Sequence, residues 1–412
     1  MKNRWLVLLG SAIAVIAGYS PAVQQTFGIY LKPMAESFSW QRAGVSLIYS
    51  LTPLVAAPLM ILVGLIVDRF GNRPVIVAQS FGVPLVLLLY SVLQPSLGMF
   101  ALVVGLGAVV NSLSTPASIN SVLLQWFDRR LGMAMGLSMA ALGIGTSLMP
   151  ILASDWIARF GWRGAFRVEA AVIAAIAIPN ALLLVWDNQA VLAARRRAET
   201  AGNASGSQHA ANIDGFPARE VLAMPLFWRV AGCFLLMGLM FAGTSVHFVA
   251  MMTDRGVAVP VAARAFGLMG VAQAGGRLMC AVLADRLNLI AFATGMYLLA
   301  TVAFVLLGCA VPGALYAAPV CLGIAAGVTV HSIGLIVRRW FGMRASGHVF
   351  SMIFTAFVVG AAIGPLIMAL AYDHAGTYRL PLFVFMVLSV AVAVAFAGVA
   401  RHPQLSARVG TS

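Results

Sequence analysis

Apolar runs long enough to cross a bilayer recur along almost the whole chain, and no other feature narrows the fold so far. A hydrocarbon core about 30 Å thick takes roughly 20 apolar residues in a helix. Such runs are predicted at 5–30, 44–67, 74–94, 98–124, 132–153 and 165–187, then at 227–251, 262–284, 288–310, 313–337, 347–371 and 380–400. Inside lipid every backbone N–H and C=O must be satisfied within its own segment, so these runs fold as helices. The expected fold class is an all-α membrane protein of twelve transmembrane helices. Composition agrees: the 412 residues are 61% hydrophobic and only 9% charged, with a mean hydropathy of +0.97. A water-soluble protein carries about 25% charged residues.

One stretch breaks the pattern. From Asn188 to Ala223 the chain is polar, with Arg195, Arg196 and Arg197 followed by Gly202, Asn203, Ser205, Gly206 and Ser207. That is the composition of a linker. It divides the chain into a six-helix half at 1–187, a cytoplasmic linker at 188–225 and a second six-helix half at 226–412. Lys2 and Arg4 ahead of an apolar stretch imitate a secretory signal, but the apolar character continues to Tyr30, which reads as an uncleaved first helix.

The formal net charge of +14 is carried in short pairs between apolar runs, unlike a nucleic-acid footprint, so no nucleic-acid partner is expected. With the N-terminus inside, 17 of the 26 Lys and Arg fall in inner loops, 8 in outer loops, and Arg277 lies within a span. This bias places both termini and the linker in the cytoplasm of a multi-pass inner-membrane protein. Basic loops also suit anionic lipid head groups. Cys233, Cys280, Cys309 and Cys321 each lie in an apolar run without metal-ligand spacing, and read as reduced packing residues. A monomer is expected.

The halves repeat. "WFDRRLGMAMG" (126–136) precedes the fifth span and "WFGMRASGHVF" (340–350) the eleventh; Pro150 and Gly161 recur as Pro365 and Gly376, both at an offset of 215. Parallel six-span repeats are a transporter architecture, with the substrate site between halves near the midplane.

"GLIVDRFGNR" (64–73) resembles the G-x-x-x-D-R-x-G-x-R signature of the major facilitator superfamily, and a worn copy stands at "AVLADRLN" (281–288). Gly64 permits close helix approach, Asp68 can cap or pair at a helix end, Gly71 allows the turn, and Arg69 and Arg73 stay at the cytoplasmic face. The resemblance implies a major facilitator fold in which this loop, with Asp285 and Arg286 of the copy, stabilises one conformation during alternating access. Three further stretches, "FGIYLKPMAESFSWQRAGVSL" (27–47), the Trp126-Phe127 loop with "GMAMG", and "FGWRGAF" (160–166), look like the monocarboxylate porter and oxalate/formate antiporter branch. Gly132, Gly136, Gly143, Gly145, Gly360 and Gly364 read as helix-packing faces, and the G-P-x-x-G-G pattern of drug/proton antiporters is missing from the fifth span.

Arg277 carries most of the functional inference. It stands eight residues before Asp285, about 12 Å along a helix, and so near the bilayer midplane. A basic group there costs about 2.5–3.5 kcal/mol on insertion scales and therefore faces a wet cavity or a partner. A guanidinium stays charged and takes a carboxylate in a fork. No acid is predicted at similar depth in another span, so an anionic substrate can supply the missing charge. The resemblance points to the same residue: in monocarboxylate porters the Arg of an acid-x-x-x-Arg pair in the eighth span anchors the carboxylate. Here the acid position holds Gln273, and the first-span lysine of the animal-type porters falls on Gln25. One central cation fits a monoanion better than a dianion.

His331, with Thr329 and Ser332 nearby, is a candidate proton carrier, since histidine changes charge near neutral pH; His247 is a weaker one. Tyr19, Gln25, Tyr49, Asn111 and Asn120 join Gln273 and His331 as candidate cavity residues, with Gln24, Ser50, Thr115, Thr244 and Thr355 as further polar positions. Glu169 is expected to pair with Arg163 or Arg167. No P-loop, HExxH, catalytic triad or haem ligand pair occurs, so neither catalysis nor a cofactor is expected. The reading is a secondary active transporter of a small organic anion, a monocarboxylate, with protons as a candidate coupling ion. Efflux of amphipathic compounds and a transport-incompetent membrane sensor stay open as alternatives.

Overall fold

A computed structural model describes residues 4–114, 122–123, 125–127, 131–187, 216, 218–283, 288–309, 313–341 and 346–398. Among them nearly everything is helix and no strand occurs. The first span, α1 (Arg4–Phe38), includes a π-helical turn over Ser20–Gln24; α2 (Arg42–Phe70), α3 (Arg73–Ser91) and α4 (Leu97–Leu113) follow. The helix Leu131–Leu183 is broken at Gly161, which makes its two arms α5 and α6. Then come α7 (Pro225–Asp254), α8 (Val259–Leu283), α9 (Leu289–Gly308), α10 (Ala314–Ile336), α11 (Ser346–Ala375) and α12 (Arg379–Ala397).

Among the described residues, nine stretches are long and apolar enough to cross a membrane. Dividing the one at Ala140–Leu183 at Gly161, and adding Leu97–Leu113 and Val259–Leu283, brings the spans to the expected twelve. Two expectations are corrected. The fourth helix ends at Leu113, short of the expected residue 124; 115–121 fall outside the described residues, and helical backbone recurs at 122–123 and 125–126. A short helix, Ala218–Ala223, lies within the stretch read as linker; 188–215 fall outside the described residues.

Local chemistry sets the helix ends. The Ser96 hydroxyl accepts from the Met99 N–H at 3.3 Å, and Asn288 Oδ1 accepts from Ile290 and Ala291 at 3.0 and 3.4 Å. Gly161 and Gly376, the repeat-related pair, both turn left-handed at φ 66° and 64°, a conformation that glycine adopts without steric cost. The sequence repeat is thus also a repeat of turns.

Two compact units emerge: Met1–Asn203 with Ser245–Val271, and Ala204–Thr244 with Ala272–Ser412. The division cuts α7 between Thr244 and Ser245 and α8 between Val271 and Ala272. In unit 1, α3 packs on α4 and on α5–α6, and the core is aromatic, with Tyr30 stacked on Phe166 at 3.8 Å and Phe166 on Tyr90 at 5.2 Å. In unit 2, α9 packs on α10 and α12 through Phe304–Phe385 and Tyr297–Phe396 contacts and a Thr301–Ser389 hydrogen bond of 2.8 Å. Leu85, Leu88, Leu102, Val109, Val387 and Val394 point outward, as lipid-facing side chains do.

Close approach of helices rests on glycine. Gly360 and Gly364 of α11 lie against the Leu235 and Leu239 carbonyls of α7, and a methyl on Gly145 would stand 3.1 Å from Ile16. Those three positions act as the packing faces expected; the surroundings of Gly132 and Gly136 lie outside the described residues. All four cysteines are free thiols: Cys233 and Cys280 are buried, whereas Cys309 is exposed at the end of α9.

Candidate functional site

Arg277 and Gln273 sit one turn apart on α8, so they share a face. Both are half-buried. Their backbone is held by two glycines at a crossing of α8 with α10. A methyl on Gly276 would stand 2.5 Å from the Ile324 carbonyl oxygen, and one on Gly327 would collide with the Gln273 carbonyl. No side chain separates the helices there, and this fixes where Arg277 begins. Its Nε is a buried donor with no acceptor, and among the described residues no ion pair includes it. A guanidinium in that state has its fork available for an incoming carboxylate.

On α10, Thr329 and Ser332 are buried and bond back to their own helix, to the Ala325 and Thr329 carbonyls, both at 2.7 Å. His331 lies on the same helix, with its side chain outside the described part.

Of the remaining candidates, Tyr19, Gln25, Tyr49, Ser50, Asn111 and His247 belong to unit 1, and Thr244 and Thr355 to unit 2. Tyr19 has no exposed surface: its N–H donates to Ser114 Oγ at 2.8 Å, and its hydroxyl lies against Gly107 without a partner. Tyr49 stacks on Phe27 at 3.5 Å and donates to the Gln24 carbonyl at 3.4 Å, so its ring serves the unit's own core. Gln25, just past the π-helical turn, is half-buried, and Asn111 is buried; neither amide makes a side-chain hydrogen bond among the described residues. Asn120 and Thr115 lie outside the described residues. His247 is fully buried, with Nε2 3.3 Å from Ser46 Oγ. Thr244 and Ser50 bury hydroxyls without partners, while Thr355 bonds its own helix at Ser351.

In the 64–73 motif, Gly71 takes φ 89° and ends α2, as its turn role requires. The Arg73 N–H donates to Asp187 Oδ2 at 2.9 Å, its guanidinium reaches the Leu182 carbonyl at 3.2 Å and lies over the Trp186 ring at 3.4 Å. Arg73 therefore ties the loop to the end of α6. Gly64, Asp68 and Arg69 stand on α2 with side chains outside the described part, and Asp285 and Arg286 are outside it altogether.

Glu169 departs from expectation. It has no exposed surface and pairs with neither Arg163 nor Arg167: Oε2 accepts from the Tyr30 hydroxyl at 2.9 Å, and Oε1 has no partner. Arg163 instead donates to the Leu93 carbonyl and lies over Trp162 and Phe38, at 4.4 and 5.2 Å from the ring centres. Two groupings escaped the sequence reading. Asp187 is one. The other is Asp254, which receives Lys32 at 2.8 Å and Arg42 at 2.6 Å. Among the described residues no group of three or more His, Cys, Asp or Glu could hold a metal.

A profile of the Major Facilitator Superfamily matches residues 6–312. The chain is 24% identical to the uncharacterized MFS-type transporter YcxA of Bacillus subtilis over 181 residues, 43% of each protein. It is 25% identical to monocarboxylate transporter 12-B of Danio rerio over 306 residues, 68% of this chain and 62% of that one. The matches thus span less than two thirds of either relative's length. In fold it is similar to the crystal structure of the nucleoside transporter NupG, with a TM-score of 0.73 at 16% identity, covering 98% of this chain and all of the other. With a profile matched over most of its length and nine helices among the described residues long and apolar enough to span a membrane, the chain belongs to the Major Facilitator Superfamily, as a multi-pass membrane protein.

Proposed function

We propose that this transporter carries a small organic anion, a monocarboxylate, by alternating access of the halves 1–187 and 226–412, with Arg277 anchoring the carboxylate. The observation that carries the reading is the guanidinium itself. It stands within a span, half-buried, with one donor lacking any acceptor and no ion-pair partner among the described residues. A fixed cation in low-dielectric surroundings costs least when an anion occupies the same place. The substrate then supplies the charge that the protein withholds. Gln25, Asn111 and Gln273 keep amides able to select among anions by hydrogen bonding. The similarity to monocarboxylate transporters supports this class. The charge bias of the loops supports an inner-membrane orientation with both termini cytoplasmic.

The test is uptake of labelled pyruvate, lactate and propionate into proteoliposomes. Wild type is expected to take up at least one of them. Arg277→Ala is expected to lose at least tenfold in uptake, and Arg277→Lys to recover part, because an ammonium keeps the charge but not the fork. Equal uptake by wild type and Arg277→Ala removes the anchor. No organic-acid uptake by wild type removes the substrate class.

A further inference from the structure

The last turn of α7 brings one carboxylate to two cations. Arg42, the first residue of α2, binds Asp254 in a fork, Nη1 to Oδ2 at 2.6 Å and Nη2 to Oδ1 at 3.2 Å, while Lys32 Nζ adds a third contact to Oδ1 at 2.8 Å. This is how proteins recognise a free carboxylate: a planar guanidinium on both oxygens and a point charge on one. All three side chains are only partly exposed, Arg42 at 10%, Asp254 at 17% and Lys32 at 29%.

Ser245–Asp254 goes with unit 1, whereas the preceding residues belong to unit 2, where Gly360 and Gly364 of α11 rest directly on α7 carbonyls. Under the alternating access proposed above, such a helix exchanges contacts at one of its ends. Gly28 lies against the Val246 carbonyl at the start of this segment, but eight residues further on, at Asp254, the contacts are partly wet ion pairs, which part more readily than glycine-packed helices. Once Asp254 leaves, Lys32 and Arg42 face a position shaped for a carboxylate.

We propose that Lys32 and Arg42 form a carboxylate-binding site, distinct from Arg277, which Asp254 fills in this conformation and yields to an incoming organic anion in another. The site rests on the organic-anion reading and extends it: the anion is captured here before it reaches the span interior, and Asp254 displaces it as the helix end returns.

The test uses the full chain with its four native cysteines replaced by alanine. Asp254→Cys puts a thiol in the cradle. Its rate of modification by an uncharged maleimide is measured with propionate, with propionamide, and with chloride at equal ionic strength. Propionate is expected to slow labelling at least threefold, propionamide and chloride not at all, and adding Lys32→Gln and Arg42→Gln is expected to abolish the protection. Gln41→Cys, at an exposed position beside Arg42 and with Asp254 intact, gives a second reading that survives misfolding of the first variant. Protection there is expected at higher propionate concentration, because Asp254 competes. Labelling indifferent to propionate in both variants overturns the site. The measurement needs no transport. Protection without carboxylate uptake by wild type leaves this site standing and removes the transport reading, and Arg277-dependent uptake without protection does the reverse.

Discussion

A carboxyl group with no exposed surface depends on whatever donors reach it, and Glu169 has one. The Tyr30 hydroxyl at 2.9 Å serves Oε2, and Oε1 is left without a partner. Leaving a buried polar group unsatisfied costs about 1–3 kcal/mol. Tyr30→Phe is therefore expected to destabilise the detergent-purified protein by about that much, read as a lowered Tm. In a Glu169→Leu background, which has no acceptor for the hydroxyl, the same change should cost less, and the cycle of four proteins isolates the bond. A Tm for Tyr30→Phe equal to wild type would show that the bond contributes nothing. Sequence proximity misleads here. Arg167 stands two positions before Glu169, some 200° around the helix at about 3.6 residues per turn, and is exposed, whereas the true partner lies 139 residues away. Asp254 was hidden for the same reason, its cations standing 222 and 212 residues earlier. Arg277 was legible because a guanidinium amid Gly, Leu, Met and Ala needs no partner to stand out.

Helix pairs raise a different question, namely how near two backbones can come. At the α8–α10 crossing the answer is set by adjacent glycines with opposite surroundings. A methyl on Gly276 meets the Ile324 carbonyl at 2.5 Å, whereas one on Gly275 meets nothing within 4 Å. Gly276→Ala is expected to force the helices apart and cost about 1–3 kcal/mol. Gly275→Ala, in the same helix, should match or exceed wild type by up to about 1 kcal/mol, because alanine is the better helix former. Thermal unfolding of the two variants side by side checks this, and an equal loss in both would show that the crossing is looser than its geometry. Arg277 follows Gly276 directly, so Gly276→Ala should also weaken carboxylate uptake. The spans themselves were readable from hydropathy, since lipid demands one solution of any long apolar run. Rotation about each helix axis was not. The sequence marks Tyr49 and Gln25 as equally polar, and only the packing shows that Tyr49 is engaged with Phe27 and Gln24 while the Gln25 amide is not.

The 215-residue repeat implies that the chain's natural division falls at the linker, with α7 and α8 wholly in the second half. Contacts divide it elsewhere, because Ser245–Val271 goes with the first unit. Sequence symmetry records which helices are homologous, whereas contacts record which are fastened in one conformation. On the alternating-access reading proposed above, the difference between the two points to contacts that the cycle makes and breaks. Along the Ser245–Asp254 segment these run from Gly28 against the Val246 carbonyl, through Ser46 with His247, to Lys32 and Arg42 on Asp254. A tether at the ionic end should then arrest the cycle. Lys32→Cys with Asp254→Cys, joined by a short bis-methanethiosulfonate linker in the cysteine-free background, is expected to lower uptake at least tenfold, and reduction of the linker to restore it. The same pair unlinked reports the cost of losing the ion pairs alone, and each single cysteine treated with the reagent reports the cost of modification. Full uptake by the linked protein would mean that α7 keeps its place on α1 and α2 throughout the cycle, and the moving boundary would then have to lie elsewhere.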